Sequence, residues 1–261
     1  HSPSYGHTLE DFVPGTVFVH PRGVTMDPGS LLAYATTFME ANPLYLNDAF
    51  ARSQGYSGMP AAPHHVMNLA LSLGVQNDSE KAIANLGYYN VRFLRPVYGG
   101  DTLTGRTRVM ARKDRGPGKP GIATVQTLAS NQDGHVVVQY ERKILIPRAG
   151  DGPIDAEARV TSDAWFPYLE RPEVHIPVPL EPPAQGLTLD RSRLDAFVPG
   201  RIFVHRNGRT VTDEHVQWTY RVMNTHPLHY DRLYSTSLSG AMSGEPIVYG
   251  GLLFGWLLGL A

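Results

Sequence analysis

Apolar and polar positions along the chain follow two different rhythms. Between residues 86 and 146 the runs "LGYYNVRFLRPVY", "TLTGRTRVMARKD", "IATVQTLASNQ" and "HVVVQYERKILI" alternate apolar with polar side chains. That alternation predicts an antiparallel sheet with one buried face. Asp133-Gly134 marks a hairpin turn between the last two runs. In contrast, "GMPAAPHHVMNLALSLG" (58–74) and "PIVYGGLLFGWLLGLA" (246–261) read as helices. The second is apolar almost all round, which predicts burial on every side, with Leu252, Leu253, Trp256 and Leu257 under a sheet. Residues 83–146 are expected to form an antiparallel meander packed on the helix that carries Val66, Leu69, Leu71 and Leu73. The fold class that satisfies both rhythms is α+β, a strongly curved antiparallel sheet wrapped around a central helix.

The pattern occurs twice. "LEDFVPGTVFVHPRG" (9–23) returns as "LDAFVPGRIFVHRNG" (194–208), a match too dense for chance. A helical segment follows each copy, "DPGSLLAYATTFMEA" and "DEHVQWTYRVMNT". Then "NPLYLNDAF" (42–50) matches "HPLHYDRLY" (226–234), and the two apolar helices match each other. Two homologous domains are expected: 8–146, and 190–261, joined by a proline-rich linker over 147–189. The second copy stops at Ala261, before any meander strand. A fragment, or a sheet completed by another chain, is expected on that ground.

Composition narrows the function classes. A net charge of −1 argues against a nucleic-acid binder. The absence of cysteine excludes disulfides and thiolate chemistry and fits a reducing cytoplasm. The run at 246–261 falls short of the roughly 20 residues of a membrane span, and the opening "HSPSYGHTLEDF" holds no apolar leader core. No H-E-x-x-H spacing appears, and no metal is assigned.

A curved sheet around a buried helix, preceded by an element ending in "x-N-P-L-H", resembles the MaoC-like (R)-specific enoyl-CoA hydratases of the hot-dog fold. Their signature runs D-x-N-P-[LIV]-H, and two fused copies resemble the double hot-dog members, whose C-terminal copy usually keeps the catalytic pair. The resemblance implies a hydro-lyase that adds water to a 2-enoyl-CoA, or removes it from a 3-hydroxyacyl-CoA. It implies no cofactor beyond the coenzyme A of the substrate, and a cytoplasmic homo-oligomer, a dimer. This chain departs from the signature in both copies. The first keeps Asn42, Pro43 and Leu44 but has Glu40 at the acid position and Tyr45 at the histidine position. The second keeps Pro227, Leu228 and His229, with Asn224 at the acid position and His226 at the asparagine position. An "HPLH" variant without the aspartate suggests a branched or dicarboxylic acyl group such as mesaconyl-CoA.

The chemistry favours the second copy. An imidazole can take a proton from water and later return it, since its pKa lies near working pH. Tyrosine is a poor base at neutral pH. His229 is therefore the expected general base and acid, with Asn224 positioning the water by a hydrogen bond. At the start of the last helix, Tyr249, Gly250 and Gly251 are expected to bind the thioester, the glycine N–H groups meeting its oxygen. The first copy has His64 and His65 there, which fill the space, so Glu40, Asn42 and Tyr45 read as a vestigial site. His20 and His205 recur at one strand position, which suggests structure. Arg112, Lys113, Arg115 and Lys119 form a basic turn within reach of coenzyme A phosphates or simply a solvated hairpin, and Arg92 and Arg95 are weaker candidates for a substrate carboxylate. Two other classes compete: a non-catalytic acyl-thioester-binding module, and a hot-dog thioesterase.

Overall fold

A computed structural model describes residues 5–154, 166–177, 195 and 197–261. Much of the expected linker at 147–189 therefore lies outside the described residues. Five strands build one antiparallel sheet: β1 (Val17–Thr25), β2 (Ala84–Phe93), β3 (Thr102–Lys113), β4 (Gly121–Ser130) and β5 (Val136–Ile146), in the order β1-β3-β4-β5-β2. Helix α3 (Pro63–Gly74) packs against β1, β3, β4 and β5. His64 through Gly74 are all buried on it, so the helix is the axis around which the sheet curves. Pro63 at its first turn lacks only a donor that the helix would not use.

The expected meander holds for β3, β4 and β5 alone. β2 does not neighbour β3; it occupies the far edge and pairs with β5, from Ala84↔Leu145 to Phe93↔Val138. The connection from Leu94 to Asp101 is too long for a tight hairpin. Its Leu94 and Val97 are buried, which anchors the crossing. On the opposite edge, Pro21 of β1 sits where the register with β3 shifts between Val19 and Gly23. An edge strand tolerates a residue without a ladder donor there.

The second copy repeats the helical half of this unit. Helix α1 (Pro28–Thr37), the turn Pro43–Tyr45 and α2 (Asp48–Ser53) are matched by α4 (Glu214–Arg221), the turn Pro227–His229 and α5 (Arg232–Ser237), and α3 is matched by α6 (Gly250–Leu260). The correspondence reaches individual bonds. Met39 and Met223 both adopt left-handed φ, 59° and 64°. Glu40 N–H and Asn224 N–H then donate back to Ala35 and Thr219 carbonyls.

Two expectations fail. Residues 201–210, the counterpart of β1, form no strand, and Ile202 and Val204 are exposed. A strand exists only in a ladder, and the chain to Ala261 carries no second-copy partner for it. His205 is accordingly exposed, whereas His20 is buried and hydrogen-bonded to Thr107.

The other correction concerns α6. Leu252 and Trp256 are buried, but Leu253, Phe254, Leu257 and Leu258 are 41–68% exposed. The covered face meets helices rather than a sheet. Trp256 stacks on Phe38 at 4.9 Å and its indole N–H donates to the Thr37 carbonyl. Gly251, Gly255 and Gly259, four apart, lie on that face, where an added Cβ would collide with Asn68, Phe38 or the backbone after α1. Among the described residues, no helix is long and apolar enough to cross a membrane.

Candidate active site

The turn Pro227–His229 is built by the residues just before it. Asn224 accepts the N–H of His226 through its side-chain oxygen at 2.9 Å. His226 Nδ1 in turn accepts the N–H of Leu228 at 3.3 Å, and its Nε2 donates to the Ala82 carbonyl at 3.1 Å. The first copy does the same with different side chains. Glu40 accepts from Asn42 N–H and Asn42 from Leu44 N–H, both at 3.0 Å. The position that holds asparagine in one copy and histidine in the other is therefore a turn cap, which either side chain serves as an acceptor.

Both nitrogens of His226 are consumed by this role, and His229 differs. Its Nδ1 donates to the Ile247 carbonyl at 2.8 Å. A carbonyl can only accept, so the proton is on Nδ1 and Nε2 carries the lone pair. Both rings are half-buried. Burial pushes the His229 imidazole down to about 4 and lowers that of His226 as well. His229 is thus neutral at pH 7, further below working pH than an ordinary histidine.

Asn224, His226, His229, Tyr249, Gly250 and Gly251 converge on one cavity of about 350 Å³. Its far wall comes from the first copy: Leu71 and Val75, β2 residues Ala84, Asn85 and Tyr88, and Arg142 and Ile144 of β5. Bulges in β2 fall beside it, where the register with β5 shifts between Asn85 and Gly87. The two glycines part company here. Gly250 faces open space, whereas a Cβ on Gly251 would run into the Asn68 carboxamide and lie within 2.7 Å of the Tyr249 phenol. Asn68 already donates to the Gly251 carbonyl at 2.9 Å, so Gly251 serves helix packing. The helical ladder begins only at Leu252 N–H, which donates to the Tyr249 carbonyl. The N–H groups of Gly250 and Gly251 precede it.

Glu40 and Asn42 do not reach this cavity; each is engaged in the capping just described. Tyr45 lines a separate hollow of about 50 Å³ with Tyr56, Pro63, Val66 and Arg95. His64 and His65 are buried in packing, His65 stacked on Tyr34 at 3.9 Å. Arg92 lies in another hollow with Gln139 and Glu141, and Arg112 donates to the Glu10 carbonyl. Neither they nor Arg95, Lys113, Arg115 and Lys119 line the larger cavity. Arg142 and Tyr88, which do, are residues the sequence reading passed over. A signal existed: Tyr140, Ile144 and Ile146 are inward on β5, and period-two alternation puts Arg142 inward with them.

The family model for mesaconyl-CoA hydratase matches residues 2–261. The chain belongs to the mesaconyl-CoA hydratase family. A relative from Chloroflexus aurantiacus, a β-methylmalyl-CoA dehydratase, is 30% identical over 251 residues, 94% of this chain and 69% of its own length. A mesaconyl-CoA hydratase of Cereibacter sphaeroides is 28% identical over 249 residues, 94% of this chain and 70% of that protein. Among solved structures, a MaoC domain protein dehydratase from Chloroflexus aurantiacus superposes with a TM-score of 0.84 at 26% identity, covering 100% of this chain and 74% of that one. A Mycobacterium tuberculosis protein described as a double hot-dog fold (TM-score 0.65, 23% identity, 98% of this chain and 76% of that one) shares the fold. The family's α+β double hot-dog architecture is the one described above.

The buried histidines of this family member make its stability pH-dependent. His64 and His229 are held down to about 4 and His65 to about 3, in each case by burial first. Between those values and the ordinary 6.5 the unfolded chain binds more protons than the folded one, so stability falls as pH falls. It is complete above pH 6.5 and lost progressively toward pH 4. Thermal unfolding followed by circular dichroism is expected to show Tm dropping steadily from pH 7 to 4.5; a flat profile would contradict the burial of these rings.

Proposed function

We infer that the protein is a hydro-lyase that hydrates mesaconyl-CoA, or dehydrates the corresponding 3-hydroxyacyl-CoA, at the second copy's cavity. The observation that carries this reading is the free Nε2 lone pair of His229 beside the open start of α6. The likeness to named hydratases and a dehydratase of this substrate class supports it.

The step balances with these groups alone. Asn224 has its side-chain oxygen committed to His226 N–H, so its NH₂ is the end left to face a water. Donating to that water's lone pair turns the water's own hydrogens toward His229. Nε2 takes one proton as the water oxygen bonds to the β-carbon, and the double-bond electrons move onto the thioester oxygen. The Gly250 N–H, at the positive end of α6, stabilises that enolate. His229 then returns the proton to the α-carbon. With a pKa of about 4, its protonated form is a strong donor for this second half.

No cofactor enters this scheme; coenzyme A comes with the substrate. A homodimer in the cytoplasm completes the proposal on two grounds. The cysteine-free sequence suits a reducing compartment, and the exposed apolar face of α6 offers area to another chain. The test is loss of the enoyl-thioester absorbance on incubation with mesaconyl-CoA and with crotonyl-CoA. Turnover of mesaconyl-CoA is expected, and no loss with any enoyl thioester would end the hydratase reading.

A further inference from the structure

Arg142 is out of place by ordinary packing rules. It sits on the inward face of β5 between Tyr140 and Ile144, and is 4% exposed. A guanidinium taken out of water is costly unless its donors are matched. Here the match is partial. Nη2 donates to Ser79 Oγ at 3.1 Å and reaches Asp78 Oδ1 only at 3.5 Å, a loose ion pair. Nε, buried, has no partner among the described residues.

Tyr88 accepts a hydrogen bond from the guanidinium. Tyr88, Tyr140 and Tyr249 stand around it. Among the described residues the buried Tyr140 and Tyr249 hydroxyls make no close hydrogen bond, although the Thr127 and Ser72 side chains stand near them. Burial pushes all three phenols up, so each keeps its proton at neutral pH and can donate. Arg142, Tyr88 and Tyr249 line the cavity that also holds His229 and Gly250. The chain widens into a π-helical turn at Val75–Ser79, directly after α3, and this brings Asp78 and Ser79 to Arg142. The guanidinium is thereby held in position while its Nε is left without a partner among the described residues.

Resting on the hydratase reading above, we propose that Arg142, with the Tyr249 hydroxyl, binds the distal carboxylate of the acyl group and so selects a dicarboxylic thioester. Mesaconyl is a methylfumaryl group, whose free carboxylate is attached to the carbon that receives water. A carboxylate receptor must then lie in the same small cavity as the base, and Arg142 does. Its fork matches a carboxylate in a way that a lysine ammonium cannot. The reacting carbon would be fixed between the thioester at Gly250 and the carboxylate at Arg142. Arg142 is a specificity-determining residue in this account, and Asp78 and Ser79 are positioning residues for it.

The experiment compares kcat/KM for mesaconyl-CoA and for tigloyl-CoA, in which a methyl replaces the carboxylate, using the wild-type protein, Arg142→Lys and Tyr249→Phe. The wild type should prefer mesaconyl-CoA by about 10- to 100-fold, the range expected for hydrogen bonds to a charged group. Arg142→Lys should reduce that ratio by about 10-fold or more, and Tyr249→Phe should reduce it in the same direction by less. A merely structural role would lower both substrates together and leave the ratio alone. If Arg142→Lys does not fold, Tyr249→Phe, which leaves the Asp78 pair untouched, carries the same readout. A wild type that turns over tigloyl-CoA as well as mesaconyl-CoA, or variants with an unchanged ratio, would overturn the carboxylate assignment alone. Turnover of neither thioester would overturn the hydratase reading and this one with it.

Discussion

His229→Gln is expected to lower kcat/KM for mesaconyl-CoA by about 10²- to 10⁴-fold, the usual contribution of a positioned general acid–base. Glutamine keeps a donor for the Ile247 carbonyl, so the turn Pro227–His229 has its anchor and the fold should persist. What it lacks is a group that titrates. The neighbouring imidazole cannot substitute, because His226 has both nitrogens engaged, with Leu228 and Ala82. Steady-state rates from the enoyl absorbance, with circular dichroism as the folding control, decide the matter. A rate within three-fold of wild type would remove His229 from the chemistry.

Adjacent glycines at the start of α6 are expected to fail in different ways. A methyl group at Gly251 collides with the Asn68 carboxamide and Tyr249 and breaks the bond from Asn68 to the Gly251 carbonyl. Overpacking and a lost buried hydrogen bond each cost about 1–3 kcal/mol. Gly251→Ala should therefore lose about 2–5 kcal/mol, a fall in Tm of roughly 5–15 °C for a chain of this size. Gly250→Ala meets nothing within 4 Å and should leave Tm unchanged or slightly raised, since alanine is the better helix former. Its penalty should appear in KM and kcat, because the methyl intrudes where the thioester approaches. Differential scanning of the two variants tests the distinction, and equal Tm values would contradict it.

The parts of this fold that were legible in the sequence are those set by local periodicity and by the internal repeat. Alternation marked β2 through β5, and the apolar run 58–74 marked the central helix, because burial imposes those periods directly. The pairing of Asn42-Pro43-Leu44-Tyr45 with His226-Pro227-Leu228-His229 located the cavity's second-copy wall. Strand order was not legible. Nothing local in "LGYYNVRFLRPVY" says that it pairs with β5 rather than β3. The repeat misled at residues 201–210, where the apolar pattern of a strand is present but its ladder partner is not. The all-round apolar pattern of α6 misled as well, since Leu253, Phe254, Leu257 and Leu258 are exposed. Arg142 escaped notice because an arginine in "QYERKILI" reads as a solvent-facing position. Only the phase of the inward set, Tyr140, Ile144 and Ile146, places it inside. The likeness of Asn224 and Glu40 as caps was also hidden, since different side chains supply the same acceptor oxygen.

The most direct test of the account is a crystal structure of the protein with β-methylmalyl-CoA or mesaconyl-CoA bound. The acyl group is expected in the cavity between the two copies, with the thioester oxygen within hydrogen-bond reach, about 2.6–3.2 Å, of Gly250 N–H. His229 Nε2 should face the carbon that gains or loses water, and the carboxylate should lie on Arg142. An acyl group seated instead in the hollow beside Tyr45, or a His229 ring turned away from it, would contradict the account.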